Sequence, residues 1–397
     1  MTTEAAPSSS PMSVFEAAYA GRWNASALGA HKGAAGRDII GFLDTGFPEE
    51  IAMAAGMLPV LLTGDPGGST SATNGNVDLG LPGRARQLYE GFLTGRYDFA
   101  GAVGITGGDR HLANTYGFLD ARRRLTGRDP GNRLFYLERA RGTYREHRDF
   151  NRDRLALFRQ ALAAHTGRRI DDAALSEAIA LVNRTRSLLQ QLAEVRVNSP
   201  GIISGTQAAT ISLAAMLMPK QDFNRALETL LETLPVQEPP SDRQRVFLTG
   251  SPVDHTAVHQ AIEEAGATVV GENVEFCGRY ADTPVREDID PLEAIADRYT
   301  YKYPDAWAFG RDRRLARNIA MARQSGADAV LFFHSLYDSS TGWDFPDLRA
   351  GLLREGLPTV AVQDQPYLVG PELSERIAGA LRGTRPRRAA GPAQLTA

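Results

Sequence analysis

Short apolar runs of strand length alternate with amphipathic stretches at both ends of the chain, while the middle keeps an unbroken 3.6-residue period. Together these patterns predict an α/β fold: two similar doubly wound parallel-sheet domains with an intervening helical segment. A Pro-rich polar stretch at 236–244 marks the clearest boundary. It divides the chain into an N-terminal α/β domain (13–150), the helical segment (151–235), this linker and a C-terminal α/β domain (245–383), with disordered tails expected at 1–12 and 384–397.

Residues 37–43, RDIIGFL, read as the first strand. A helix over 47–57 follows, with Pro48 early and Glu49 and Glu50 in the first turn, where carboxylates suit the positive end of the helix. LPVLLTG (58–64) is a strand, ARQLYEGFLTG (85–95) a helix closed by Gly95, FAGAVGI (99–105) the third strand and RLFYLER (133–139) the fourth. Such alternation implies parallel pairing with right-handed crossovers. In the helical segment, LALFRQALAAHTG, DDAALSEAIALVNRTRSLLQQLAEV and QDFNRALETLLETL recur in apolar character at helical spacing, and Asp171 stands where a cap belongs. The third region repeats the first: strands at 245–250, 267–273, 327–334 and 358–365, with helices at 251–266, 311–327 and 345–357.

Composition excludes several function classes. With 44 basic against 47 acidic side chains and a net charge of −3, the chain lacks the excess of positive charge that nucleic-acid binding needs. No apolar run approaches the roughly 20 residues of a membrane span, and MTTEAAPSSSPMS has neither the charged nor the apolar region of a signal peptide, so a cytoplasmic location is expected. The single cysteine, Cys277, forms no internal disulfide and cannot alone hold an iron–sulfur cluster or a thiolate zinc site. His255 and His259 are four apart with no carboxylate to complete a ligand set, so neither a metal nor a cofactor is expected. Only Lys32, Lys220 and Lys302 are lysines, and no phosphate-loop motif occurs. Ser251 and Pro252 stand at a strand-to-helix turn without the glycine pattern of a dinucleotide site.

Open parallel sheets bind ligands beyond the carboxyl ends of their strands. Asp44 and Thr45 occupy such an end, as an N-cap pair or as substrate contacts. Asp109, Arg110 and His111 follow Gly107 and Gly108, where backbone N–H groups and two cationic side chains suit an anion; a plain capped turn is the alternative. His334 closes an apolar strand beside Ser335, Tyr337 and Asp338, which suits an acid/base role, although a satisfied core histidine fits as well. Glu49 and Glu50 are first-turn helix acids or cleft residues. Glu272, Glu275 and Arg279 around Cys277 read as a surface salt-bridge cluster. The candidate catalytic residues are therefore His334, Asp338, Asp109 and His111, and the candidate substrate contacts are Asp44, Thr45, Glu49, Arg110, Tyr337 and Ser335.

The stretch GFLDTGFPEEIAMAAGMLPVLLTG, with Pro48, Glu49, Glu50, Ala54, Ala55, Gly56, Met57 and Pro59, resembles the signature of the 2-hydroxyacyl-CoA dehydratase and benzoyl-CoA reductase family. GAVGITGGD, NSPGIISGTQAATISLAAMLMPK, RVFLTGSPVDH, ADAVLFFHSLYDSSTGWDFPDL and PTVAVQDQ continue the resemblance in family order from about Asp38 to Leu381. It implies two Rossmann-like domains, a catalytic component built from two related subunits, [4Fe–4S] clusters held by three cysteines, and an ATP-driven activator that supplies an electron. The three cysteine positions correspond here to Gly108, Asp338 and the neighbourhood of Pro82, and none is cysteine.

Two explanations follow. One is a cluster-free lyase-type subunit that performs a non-redox elimination or intramolecular displacement on a small anionic metabolite, in a heterodimer with a homologous chain. The other is a subunit of a 2-hydroxyacyl-CoA dehydratase whose cluster sits on the partner, or a non-catalytic scaffold.

Overall fold

The computed structural model describes residues 10–24, 38–74, 81–107, 109–127, 132–235, 242–302 and 310–384. Among these residues, eight strands form two four-stranded, all-parallel sheets. β1 (Ile39–Phe42), β2 (Leu58–Leu61), β3 (Ala102–Thr106) and β4 (Arg133–Leu137) lie in the order β2-β1-β3-β4. β5 (Gln244–Gly250), β6 (Ala267–Asn273), β7 (Ala329–Ser335) and β8 (Thr359–Gln365) repeat it as β6-β5-β7-β8. Each sheet reverses its winding between its first and third strands, and that switch point opens a crevice beyond the ends of β1 and β3 in one sheet and of β5 and β7 in the other. All eight strands fall on the apolar runs expected from the sequence, because buried parallel strands need continuous rather than alternating apolar character.

The helices are α1 (Met12–Ala20), α2 (Glu49–Ala54), α3 (Ser71–Asn74), α4 (Gly83–Leu93), α5 (Arg110–Thr126), α6 (Arg145–Thr166), α7 (Asp172–Asn198), α8 (Gly205–Ala214), α9 (Lys220–Thr233), α10 (Ala257–Glu264), α11 (Pro291–Tyr301), α12 (Arg311–Gln324), α13 (Ser339–Arg354) and α14 (Glu372–Leu381). Asp171 caps α7 as expected, accepting from the Ala174 N–H at 3.0 Å. α1, α3, α5, α8, α11 and α14 are not among the helices expected, and two of the expected ones begin elsewhere. The helix after β5 begins at Ala257, because Ser251 and Asp254 spend their side chains on partners across the fold instead of on a first turn. α13 begins at Ser339 and carries Pro346 inside it, because Asp338 caps it ahead of the proline. Of the expected tails and linker, residues 1–9, 236–241 and 385–397 lie outside the described residues. Met12 already belongs to α1, Gln244 to β5, and Thr384 accepts from the Gln244 amide.

The largest core cluster joins the first sheet to the helical segment through Phe42, Phe47, Phe158, Leu188, Leu213 and Phe223. It also takes in Phe276, Tyr280, Ile295 and Tyr299, which lie beyond β6 in sequence. The second sheet is covered on one face by Val258, Ile262 and Ile377 and on the other by Leu348 and Leu352.

Two buried ion pairs bolt α2 to this assembly. Glu50 accepts from Arg186 Nη2 at 2.6 Å and from the Tyr299 hydroxyl at 2.9 Å. Glu49 accepts from Lys220 Nζ and from the Tyr280 hydroxyl, both at 2.7 Å. Both acids stand in the first turn of α2 as expected, and both are also buried against cations from α7 and α9.

Candidate active site

The strand ends of the two sheets face each other across one cleft, lined by Asp44, Thr45 and Gly46 after β1, Asp109 after β3, Arg139 and Arg141 after β4, and Pro252, Glu275, Arg279, Lys302 and Thr341 from the other half. It encloses about 30 Å³, room for one or two waters. Arg279 and Thr341 also line the adjoining crevice at the ends of β5 and β7, beside Thr249, Gly250 and Asn273. The two switch points thus meet at Arg279.

The floor is rigid. Asp44 Oδ1 accepts from the Gly46 N–H at 2.6 Å, and Asp44 Oδ2 accepts from the Thr106 hydroxyl, which ties the end of β1 to that of β3. A Cβ on Gly46 would stand 2.7 Å from both Arg139 Nη1 and Asp44 Oδ1, so the missing side chain lets the guanidinium lie over this turn. Thr45 offers its N–H and hydroxyl to Glu275 Oε1 at 3.1 and 3.3 Å, and its carbonyl accepts from Lys302 Nζ at 2.9 Å.

Two groups in this cleft have displaced proton affinities. Burial pushes the Asp109 carboxyl up to about 6, with Glu275 adding repulsion, against the hydrogen bond Asp109 accepts from the His111 N–H at 2.7 Å. Burial draws the Lys302 ammonium down to about 8, helped by Arg298 and Arg139 and opposed by Asp282 and Glu275. An acid and a base that exchange protons near neutrality thus share one small space with three guanidinium groups, which suits proton removal with stabilisation of a departing anion. Arg279 Nε is buried without an acceptor among the described residues.

The residues singled out from sequence divide into two groups. Asp44, Thr45 and Asp109 line the cleft. Asp109 also caps α5, accepting from the His111 N–H as the capped-turn alternative has it; Gly108 lies outside the described residues. His111 sits on the first turn of α5, its imidazole affinity lowered by burial and by Arg110, and Arg110 itself is exposed.

Asp338 is consumed by structure: it accepts from Ser251 Oγ at 2.6 Å, Ser340 Oγ at 3.1 Å and the Thr341 N–H at 3.2 Å. Ser335 donates its N–H to Ser251 Oγ. His334 donates from Nε2 to the Asp338 carbonyl at 2.8 Å, while Nδ1 faces the Asp364 N–H at 3.4 Å. It therefore links the turn after β7, where Tyr337 takes a positive φ of 69°, to Asp364 within β8, whose φ is 55°. The Tyr337 side chain is exposed. Neither His334, Ser335 nor Tyr337 lines the cleft, and Glu49 lies in the buried network below it.

Lys302, Arg139 and Arg141 were not singled out. Their signal was present: Lys302 is one of three lysines in an arginine-rich chain, and the arginines directly follow an apolar strand. Glu275 and Arg279, read as a surface cluster, line the cleft.

No helix among the described residues is long and apolar enough to cross a membrane. The sequence profile of the 2-hydroxyglutaryl-CoA dehydratase D-component family matches residues 44–365. The chain is 22% identical over 344 residues to the (R)-phenyllactyl-CoA dehydratase beta subunit of Clostridium sporogenes, covering 84% of this chain and 88% of that one. It is 22% identical over 335 residues to the (R)-2-hydroxyglutaryl-CoA dehydratase beta subunit of Acidaminococcus fermentans, covering 83% and 87%. A benzoyl-CoA reductase polypeptide of Thauera aromatica is 23% identical over 309 residues, covering 75% and 77%.

Proposed function

The chain belongs to the 2-hydroxyglutaryl-CoA dehydratase D-component family, and from that premise we propose that it is a cluster-free subunit of a dehydratase-like enzyme, catalysing a non-redox elimination or intramolecular displacement on a small anionic metabolite. The observation that carries this reading is the presence of Asp109 and Lys302, shifted toward neutrality from opposite sides, in one cleft walled by arginines.

Asp109 takes the proton from the carbon, or from the internal nucleophile. The released electron pair forms the new π or σ bond, the bond to the leaving group breaks, and Lys302 gives that group its proton. Arg279, with Arg139 and Arg141, holds the substrate anion and balances the charge that develops on the leaving group. Asp44 and Thr45 position the substrate.

The donor chemistry supports the absence of a cluster on this chain. Glycine at 108 and Pro82 offer no side-chain ligand, and Asp338 is engaged with three donors. The single cysteine, Cys277, lines another cavity next to Glu272. Relatives named as beta subunits support pairing with a homologous partner chain, a heterodimer of the kind the family resemblance implies.

The same relatives favour a second reading, in which the partner holds the cluster and this chain completes a 2-hydroxyacyl-CoA dehydratase. Mass spectrometry of a small-metabolite extract incubated in air with the assembled protein separates the two. The first reading expects an ion that loses its leaving group without ATP or reductant, and expects no such product with Asp109→Asn. Turnover only under anaerobic conditions with ATP and a reductant overturns it in favour of the second.

A further inference from the structure

A second cavity, of about 370 Å³, lies between α7, α12 and the edge strand β6. Its size falls within the roughly 300–1,000 Å³ of small-molecule sites. We infer that it binds a compact molecule with an apolar body and a carboxylate, at a site separate from the strand-end cleft.

The walls are apolar: Leu189, Leu192 and Val197 from α7, Phe247 and Val270 from the sheet, and Met321 from α12. The polar groups are few and placed at depth. Arg196, 5% exposed, spends Nη1 on Glu272 Oε1 at 2.7 Å and Nη2 on the Val269 carbonyl at 2.8 Å. Its Nε–H is buried and finds no acceptor in the protein. A buried donor left unpaired is costly, and a ligand oxygen would satisfy it. Ser212 adds a hydroxyl to the lining, and Arg317 a second cation. Glu194 and Asp282 are the remaining acids of the lining besides Glu272; Glu194 is exposed, and Asp282, whose two carboxylate oxygens are buried without a donor among the described residues, acts on Lys302 only through its charge.

A metal is the obvious competitor, because His259, Glu272 and Cys277 bring donor atoms within 4.8 Å of one another. The geometry argues against it. His259 Nε2 and Glu272 Oε2 are 2.6 Å apart, a hydrogen bond, whereas donors around a tetrahedral ion stand about 3.3 Å or more from each other. Glu272 is already neutralised: against the cost of burial, Arg196 and His259 hold its carboxyl at about 2. Burial and Glu272 keep Cys277 a neutral thiol, which serves as apolar floor.

The loop after β6 separates this cavity from the cleft. Cys277, Gly278, Ala281 and Asp282 face the cavity, and Glu275 and Arg279 face the cleft. A Cβ on Gly278 would lie 1.9 Å from the Glu272 carbonyl, so the loop is pressed onto the strand end with no room to shift inward. A ligand in the cavity therefore bears on the wall that grips Thr45.

Calorimetric titration of the full chain with 4-phenylbutyrate tests the assignment, with 4-phenylbutan-1-ol as the uncharged control. The account expects one saturable site with a dissociation constant below about 1 mM and slowed hydrogen exchange over 274–282. The alcohol binds at least about tenfold more weakly, a difference of about 1.4 kcal/mol. Ala193→Trp fills the cavity from an exposed position on α7, and Gln324→Trp does so from the opposite wall; each weakens binding by at least about tenfold while the thermal midpoint stays near that of the parent. Asp109→Asn binds as the parent does, so the result stands or falls apart from the chemistry proposed for the cleft. No saturable binding up to about 10 mM, indifference to both tryptophans, or equal affinity for the alcohol overturns the inference.

Discussion

Lys302 Nζ donates to the Thr45 carbonyl across 2.9 Å, joining the end of α11 to the end of β1. The bond places the ammonium in the same cleft as Asp109, and the two proton affinities fix a pH profile. As base, Asp109 works only when ionised, so turnover rises as the pH climbs through about 6; as acid, Lys302 works only when protonated, so turnover falls through about 8. A bell between these limits is expected from rate measurements across pH. Lys302→Met lowers turnover by about 10²-fold or more and removes the alkaline limb, and an unchanged profile would discard its role.

Gly46→Ala reads out on activity before stability. Its Cβ would meet the Arg139 guanidinium at 2.7 Å, and a long side chain yields more easily than backbone does. Turnover should fall about tenfold or more as the anion-binding group is displaced, with a thermal midpoint within a few degrees of the parent.

Gly250→Ala behaves in the opposite way. Gly250 has φ of 125°, and a Cβ would stand 2.0 Å from the Phe333 carbonyl of the neighbouring strand, where nothing can move aside. Chemical denaturation should register a loss of about 3 kcal/mol or more.

Removing Arg186 leaves Glu50 buried without its main partner. Arg186→Met is expected to cost about 3–5 kcal/mol, and Glu50→Leu combined with Arg186→Met to recover most of it, because two uncharged groups no longer need desolvated charge. The pH dependence has a definite sign. Burial alone would raise the Glu50 carboxyl, but Arg186 and Arg298 hold it below its ordinary 4.5. The pair's contribution is therefore complete above about 4.5 and fades as acid carries the pH down through the folded-state value, and the double variant should lose that part of the acid sensitivity.

The strands were legible because burial on both faces demands unbroken apolar runs, and 58–61 or 329–335 have no other use in an α/β chain. Helix starts that depend on distant partners were not. Nothing near Ser251 announces that its hydroxyl binds Asp338, nor that Asp254 accepts from Arg84 Nε at 2.9 Å and from the Tyr367 hydroxyl at 2.7 Å. The strand-end rule found Asp44, Thr45 and Asp109, because sheet topology brings those ends together. It named no candidate on the opposite wall, since Glu275 and Lys302 arrive on a loop and a helix terminus whose placement rests on Phe276, Tyr280 and Tyr299 entering the first core. His334 reads as a base from sequence because a histidine at a strand end is open to chemistry in principle, while in the fold its ring bonds the Asp338 carbonyl and faces the Asp364 N–H, contacts no local pattern announces.

Iron and acid-labile sulfide analysis of this chain, purified alone without oxygen and read together with its absorption near 400 nm, tests the central claim most directly. The account predicts substoichiometric iron and a featureless spectrum, with Asp109 and Lys302 left to do the chemistry. A stoichiometric cluster on the isolated polypeptide would contradict it.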